Sequence, residues 1–192
     1  EGIFLDLSMI GTSSANIEEL RNRLISFKES GKFIISYSET YSQSAYYLAS
    51  VSDKIYMLPD GILDIHGMAS QAMFYKHLLE KLDIEMQIIR PANNKFKSAV
   101  EPYFLDEMSD ANREQTSVYL NSMWNTICND ISASRNIKVE TINKLADDMT
   151  LMFDTKAAVD NGFIDELIYK DELLAKLHEL TNTPDNKKLN II

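Results

Sequence analysis

Between residues 2 and 91, short apolar runs alternate with segments of helical period, and this alternation constrains the fold more than any other feature of the chain. GIFLDL (2–7), KFIISYS (32–38), KIYMLP (54–59) and IEMQIIRP (84–91) read as strands. ILDIHG (62–67) reads as a short extended segment, and PDG (59–61) as the turn that closes the strand before it. NIEELRNRLISFKESG (16–31) reads as a helix, with Ile17, Leu20, Leu24 and Phe27 on one face. Asn16 is placed to cap it, Glu19 to complete a capping box, and Gly31 to end it. Ala45, Leu48, Ala49 and Ser52 recur at helical spacing and allow close packing, and SQAMFYKHLLEKL (70–82) predicts another helix.

The second half continues the pattern. A long helix is predicted from about Ser109, its cap, to Arg135, then a short helix over VETINKLADD (139–148). DTKAAVDNGFIDELIYK (154–170) reads as helix, Asn-Gly stop and strand, and DELLAKLHEL (171–180) as a last helix. Strands alternating with helices imply an α/β domain with a largely parallel sheet. We expect a single domain over residues 1–182 and a loosely ordered tail over 183–192. Sites in such folds lie beyond the carboxyl ends of the strands. SMIGTSS (8–14), SETYSQSA (38–45) and RPANNKFKSA (90–99) each follow a strand, so all three can border one site.

Composition narrows the function classes. The formal net charge is −10 and no Lys/Arg run occurs, which argues against a nucleic-acid partner. The single cysteine, Cys128, permits no intramolecular disulfide and has no basic neighbour to activate it, so a buried structural thiol is expected. No stretch approaches ~18 consecutive apolar residues. The chain opens inside a strand-like run, so any anchor or targeting segment is expected to lie outside it.

Most catalytic constellations find no support. His66, His77 and His178 belong to no metal-binding pattern, and no metal or other cofactor is expected. His77 and His178 read as rim residues; His66 follows an extended segment, where a hydrogen-bonded structural histidine is the plainer reading. Tyr41, Tyr46 and Tyr47 read as core plus rim packing rather than a binding stack. Two lysines remain, Lys95 and Lys97, in the apolar surroundings of Phe96, Ala99 and Val100. Lys97 has an ordinary reading, a surface lysine paired with Glu101 at i+4. It also has a chemical one, since desolvation favours the neutral amine that a general base requires.

Several blocks, in order, decide between these readings: KFIISYSETYSQSAYYLASVSDKIYMLPDG (32–61), DIHGMASQAMFYKHLLEKLDI (64–84), KFKSAVEPY (95–103) and MSDANREQ (108–115). Together they resemble the N-terminal half of the long-form signal peptide peptidase A, or protease IV, family. The resemblance implies a Clp-protease/crotonase-like βαβ unit, the first of a tandem pair. It also implies a serine peptidase with a Ser–Lys dyad that degrades signal-peptide remnants. The motif lysine matches Lys97, whereas Lys95 falls outside the motif. The serine would come from a C-terminal catalytic domain of the same protein. Where the catalytic copy carries S-G-G-Y, this chain has SQSAYYLA (42–49), placing Gln43 at the nucleophile position and Ser44 one residue later. Gly11 stands alone where the catalytic copy has a glycine pair, so a complete oxyanion hole is not expected here. The resemblance further implies a homotetramer, held at the bacterial inner membrane by an N-terminal anchor, with its catalytic part extracytoplasmic (periplasmic). A crotonase-like acyl-CoA enzyme and a non-catalytic scaffold copy are the rival readings.

Overall fold

A computed structural model describes residues 2–8, 10–90, 95–184 and 187–189. Two compact units divide the chain: Glu1–Gly67 with Ile127–Ile192, and Met68–Thr126.

The first unit is built on one four-stranded sheet of order β1-β2-β3-β4, formed by β1 (Ile3–Asp6), β2 (Ile34–Tyr41), β3 (Lys54–Leu63) and β4 (Glu166–Leu167). Every pairing is parallel, as the α/β expectation required. Helices α1 (Ser14–Lys28) and α2 (Gln43–Ala49) connect the first three strands. α5 (Val139–Asp147), α6 (Thr150–Phe153) and α7 (Thr155–Asp160) precede β4, and α8 (Lys170–Leu180) follows it. Ile34, Ile35, Ile55 and Met57 are fully buried in the strands, as are Ile131, Ile142, Leu151 and Phe163 in the helical part. Each such side chain contributes about 1.5–3 kcal/mol of burial.

Tyr41 and Tyr46 carry their polar ends into this core and pair them there, whereas the buried Tyr37 hydroxyl finds no partner among the described residues. Tyr41 Oη donates to the Tyr56 carbonyl at 3.1 Å and Tyr46 Oη to the Phe163 carbonyl at 2.9 Å. The two rings meet edge to face, 6.1 Å apart. Tyr46 and Tyr47 are both buried, so Tyr47 is core rather than rim. Cys128 is fully buried, as expected, and burial pushes its thiol up to about 12.

Three local expectations in this unit are corrected. PDG does not end a strand; β3 runs through it. Ser38 pairs with Met57 but Thr40 pairs with Ile62, so the extra β3 residues bulge. A Cβ on Gly61 would lie 2.5 Å from the Glu39 carbonyl oxygen, which is why glycine occupies the bulge. The cap of α1 is Ser13, whose Oγ accepts from the Asn16 N–H; Glu19 pairs instead with Arg23. Leu20 is exposed, and the buried stripe of α1 runs through Ile17 and Arg21. The Arg21 guanidinium lies over the Tyr47 ring and donates to the Asp130 carbonyl and to Ser134, a partnership invisible to a hydropathy count.

The second unit is sparser. α3 (Lys76–Lys81) is much shorter than the predicted 70–82, because the Tyr75 N–H that would extend it backward donates to the Pro102 carbonyl. IEMQIIRP forms no strand over its described residues: it finds no ladder partner there, and Ile89 is 90% exposed. A 3₁₀ turn over Glu101–Tyr103 leads toward α4 (Asp110–Arg135), inside which the division between units falls. Ser109 caps α4 as predicted, its Oγ accepting from the Asn112 N–H. Residues 185, 186 and 190–192 of the tail lie outside the described residues, while Leu189 packs beside the Tyr37–Leu173 cluster.

Candidate functional site

Because all strands run parallel, the carboxyl ends of β1, β2 and β3 share one edge of the sheet, where ligands bind in open α/β folds. β2 passes there into α2 through Ser42, whose Oγ caps the helix at the Ala45 N–H. Gln43 opens the helix, and both its carboxamide oxygen and nitrogen are engaged. Oε1 accepts from the backbone N–H groups of His66 (3.2 Å) and Gly67 (3.0 Å), and Nε2 donates to the Gly67 carbonyl (3.1 Å). Gly67 has φ +83°, a conformation that favours glycine. The residue at the position where the resemblance implies a nucleophile is therefore a backbone clamp, and a carboxamide is no nucleophile. Ser44, one place on, is exposed.

The clamped segment carries His66, whose Nδ1 lies 2.7 Å from Asp64 Oδ1. This agrees with the hydrogen-bonded reading of His66. Asp64 and Gln43 escaped the sequence reading as its partners. The D-x-H spacing was the available signal for Asp64, since alternate residues of an extended segment point the same way. Gly11 lies in open space, and nothing approaches a Cβ added to it, so local geometry makes no demand for glycine there. Met9, in the same loop, lies outside the described residues.

Lys97 belongs to the second unit, and residues 91–94 before it lie outside the described residues. The two lysines have different surroundings. Lys95 stands over the Phe96 ring, 4.9 Å from its centroid, with Glu114 at 3.9 Å. Lys97 is exposed and makes no ion pair among the described residues. The i+4 pair with Glu101 does not form. Glu101 is instead buried, 3% exposed, and turned toward the start of α4. It accepts from Ser109 Oγ at 2.6 Å, Asn112 Nδ2 at 2.9 Å and the Ser109 N–H at 3.3 Å. Burial pushes its pKa up, but the bonds from Ser109 and Asn112, with the charge of Arg90, outweigh burial and hold the carboxyl below its usual range.

The remaining candidates take ordinary places. His77 is exposed between Glu80 and Asp106, and His178 Nδ1 lies 3.1 Å from the Thr183 carbonyl oxygen. Among the described residues no group of three or more His, Cys, Asp or Glu could hold a metal ion. No described helix is long and apolar enough to cross a membrane.

Comparison with known proteins adds a lineage to this geometry. Residues 26–183, which include Gln43 and Lys97, match "Peptidase family S49". The chain is 36% identical over 173 residues to "Protease 4" of Salmonella typhi, covering 86% of this chain and 28% of that protein. It is 32% identical over 199 residues to "Protease 4" of Haemophilus influenzae, covering 100% of this chain and 32% of that protein. It is 27% identical over 188 residues to "Serine protease SPPA, chloroplastic" of Arabidopsis thaliana, covering 98% and 27%. The chain thus spans less than a third of the length of each of these relatives.

Proposed function

The chain belongs to peptidase family S49, and on that premise we propose that it is the lysine-bearing half of a serine peptidase with a Ser–Lys dyad. Lys97 is the general base. Its neutral amine takes the proton from a serine hydroxyl as the oxygen attacks a peptide carbonyl, then returns it to the leaving amine. Water, deprotonated by the same amine, hydrolyses the acyl-enzyme. The serine lies in the part of the longer protein beyond this chain, in a C-terminal catalytic domain.

One observation carries the reading: Glu101, the carboxylate best spaced to hold Lys97 as an ammonium, is committed to Ser109 and Asn112. Lys97 makes no ion pair among the described residues. An amine without a carboxylate partner can lose its proton once apolar surface covers it. The engagement of Gln43 supports the companion statement that this chain alone is inactive. In the whole protein the substrates are apolar signal-peptide remnants. The assembly is a homotetramer anchored by an N-terminal segment outside this chain, working on the extracytoplasmic face of a bacterial inner membrane.

The test is a pair of substitutions in the full-length protein, assayed on a peptide substrate. Lys97→Ala lowers kcat by about 10²–10⁴-fold, the span of a lost general base. Lys95→Ala stays within about twofold, as expected of a solvated surface charge. Activity that survives Lys97→Ala overturns the base assignment, and loss with Lys95→Ala alone moves it to the other lysine.

A further inference from the structure

The buried carboxylate of Glu101 lies four residues from Lys97 in the sequence, and among the described residues the groups bonded to it are donors, with the positive charge of Arg90 also acting on it. Ser109 Oγ–H, Ser109 N–H and Asn112 Nδ2–H converge on its two oxygens. An ionised carboxylate is the one side-chain group of this size that only accepts. All three donors belong to the cap and first turn of α4, where the helix dipole favours negative charge. The Glu101 backbone is as firmly placed as its side chain. Its N–H donates to the Ser98 carbonyl at 3.0 Å, and its own carbonyl accepts from the Phe104 and Leu105 N–H groups. The next residue, Pro102, accepts from the Tyr75 N–H at 2.6 Å, with the Tyr103 ring stacked on Tyr75. The chain from Ser98 to Leu105 is therefore pinned at both its carboxylate and its backbone, and Lys97 is the residue immediately before the pinned run.

We propose that Glu101 is a positioning residue for Lys97: its carboxylate fastens the 98–105 turn to the start of α4 and so fixes where the lysine backbone leaves that turn. This rests on the assignment of Lys97 as the base. Glu101 itself touches no reacting atom. A base must stay within hydrogen-bond reach of its serine, and a displacement of about 1 Å can cost about 10²-fold in rate. A lysine stem is long and rotatable, so its amine is only as well placed as the backbone that carries it.

The experiment compares Glu101→Gln, Asn112→Ala and Lys97→Ala in the full-length protein, reading kcat and KM for a peptide substrate and thermal unfolding. Glu101→Gln brings an NH₂ donor into a ring of donors. It lowers kcat by about 10- to 100-fold with KM within about twofold. Asn112→Ala removes one of the three bonds and gives a smaller change in the same direction. A kcat that falls only in proportion to the unfolded fraction makes Glu101 structural and overturns the positioning role. Loss of activity in Lys97→Ala beside unchanged kinetics in Glu101→Gln overturns the positioning role and leaves the base standing. Activity retained in Lys97→Ala overturns both.

Discussion

The two units of this chain are ordered by different means. Residues Glu1–Gly67 and Ile127–Ile192 surround a parallel sheet with fully buried Ile, Met, Tyr and Phe side chains. In Met68–Thr126, the buried residues among those described are Glu101 and Ala111. Val118, Tyr119 and Ile89 there are open to solvent. Packing holds the first unit, whereas hydrogen bonds around one carboxylate hold the part of the second that carries Lys97. A segment fixed by a few directional bonds opens locally at lower cost than a packed core. It also places a side chain accurately for as long as those bonds last.

The largest effect expected from this contrast is in the core. Phe163→Ala removes a fully buried ring that packs 5.6 Å from Tyr46, and should cost about 3–5 kcal/mol in denaturant unfolding of the full-length protein. Val118→Ala, on the exposed face of α4, should stay within about 0.5 kcal/mol. A Val118 cost approaching that of Phe163 would mean that the second unit is packed after all. Next comes Gln43→Ala, which orphans the His66 and Gly67 N–H groups and the Gly67 carbonyl. These groups are exposed or half-buried, so water can replace the clamp and the expected cost is about 0.5–1.5 kcal/mol, read as faster hydrogen exchange at residues 66 and 67. Unchanged exchange there would show that the clamp contributes nothing.

The same contrast explains what could be read from the sequence. Hydropathy reports burial, so β1, β2, β3 and most helices of the first unit were legible, though not the short α6; in the second unit the Ser109 cap of α4 was legible from its residue type. The misreadings arose where a specific partner replaced a pattern. The Tyr75 N–H goes to Pro102 instead of extending α3. The apolar run 84–90 has no strand to join among the described residues. A bulge absorbs the PDG that looked like a turn. At the candidate site the motif singled out Lys97, but the partners of Gln43 and Glu101 lie 23 and 24 residues away in one case and 8 and 11 in the other. No periodicity encodes such pairs. The i+4 rule joined Glu101 to Lys97, whereas the fold turned its carboxylate to α4, where three donors outbid one exposed ammonium.

The smallest effect follows from titrating that carboxylate. Among the groups that bear on Glu101, Ser109 and Asn112 donate to it and Arg90 supplies positive charge, and its pKa is lower folded than unfolded. A group with a depressed folded pKa stabilises fully above its unfolded value and loses that contribution as pH falls through the folded value. The start of α4 should therefore keep its full protection at neutral pH. It should loosen progressively as pH falls through the ordinary carboxylate range toward the lower folded value. Core amides of β2 and β3, which depend on packing, should change less over the same interval. Hydrogen exchange of the Ser109 and Asn112 amides, corrected for the intrinsic pH dependence of exchange, measures this directly. In Glu101→Gln the acid-dependent part should vanish, because no charge remains to be neutralised. If protection at Ser109 instead falls in step with that of the sheet, the second unit is ordered by the same packing as the first and the contrast between them fails.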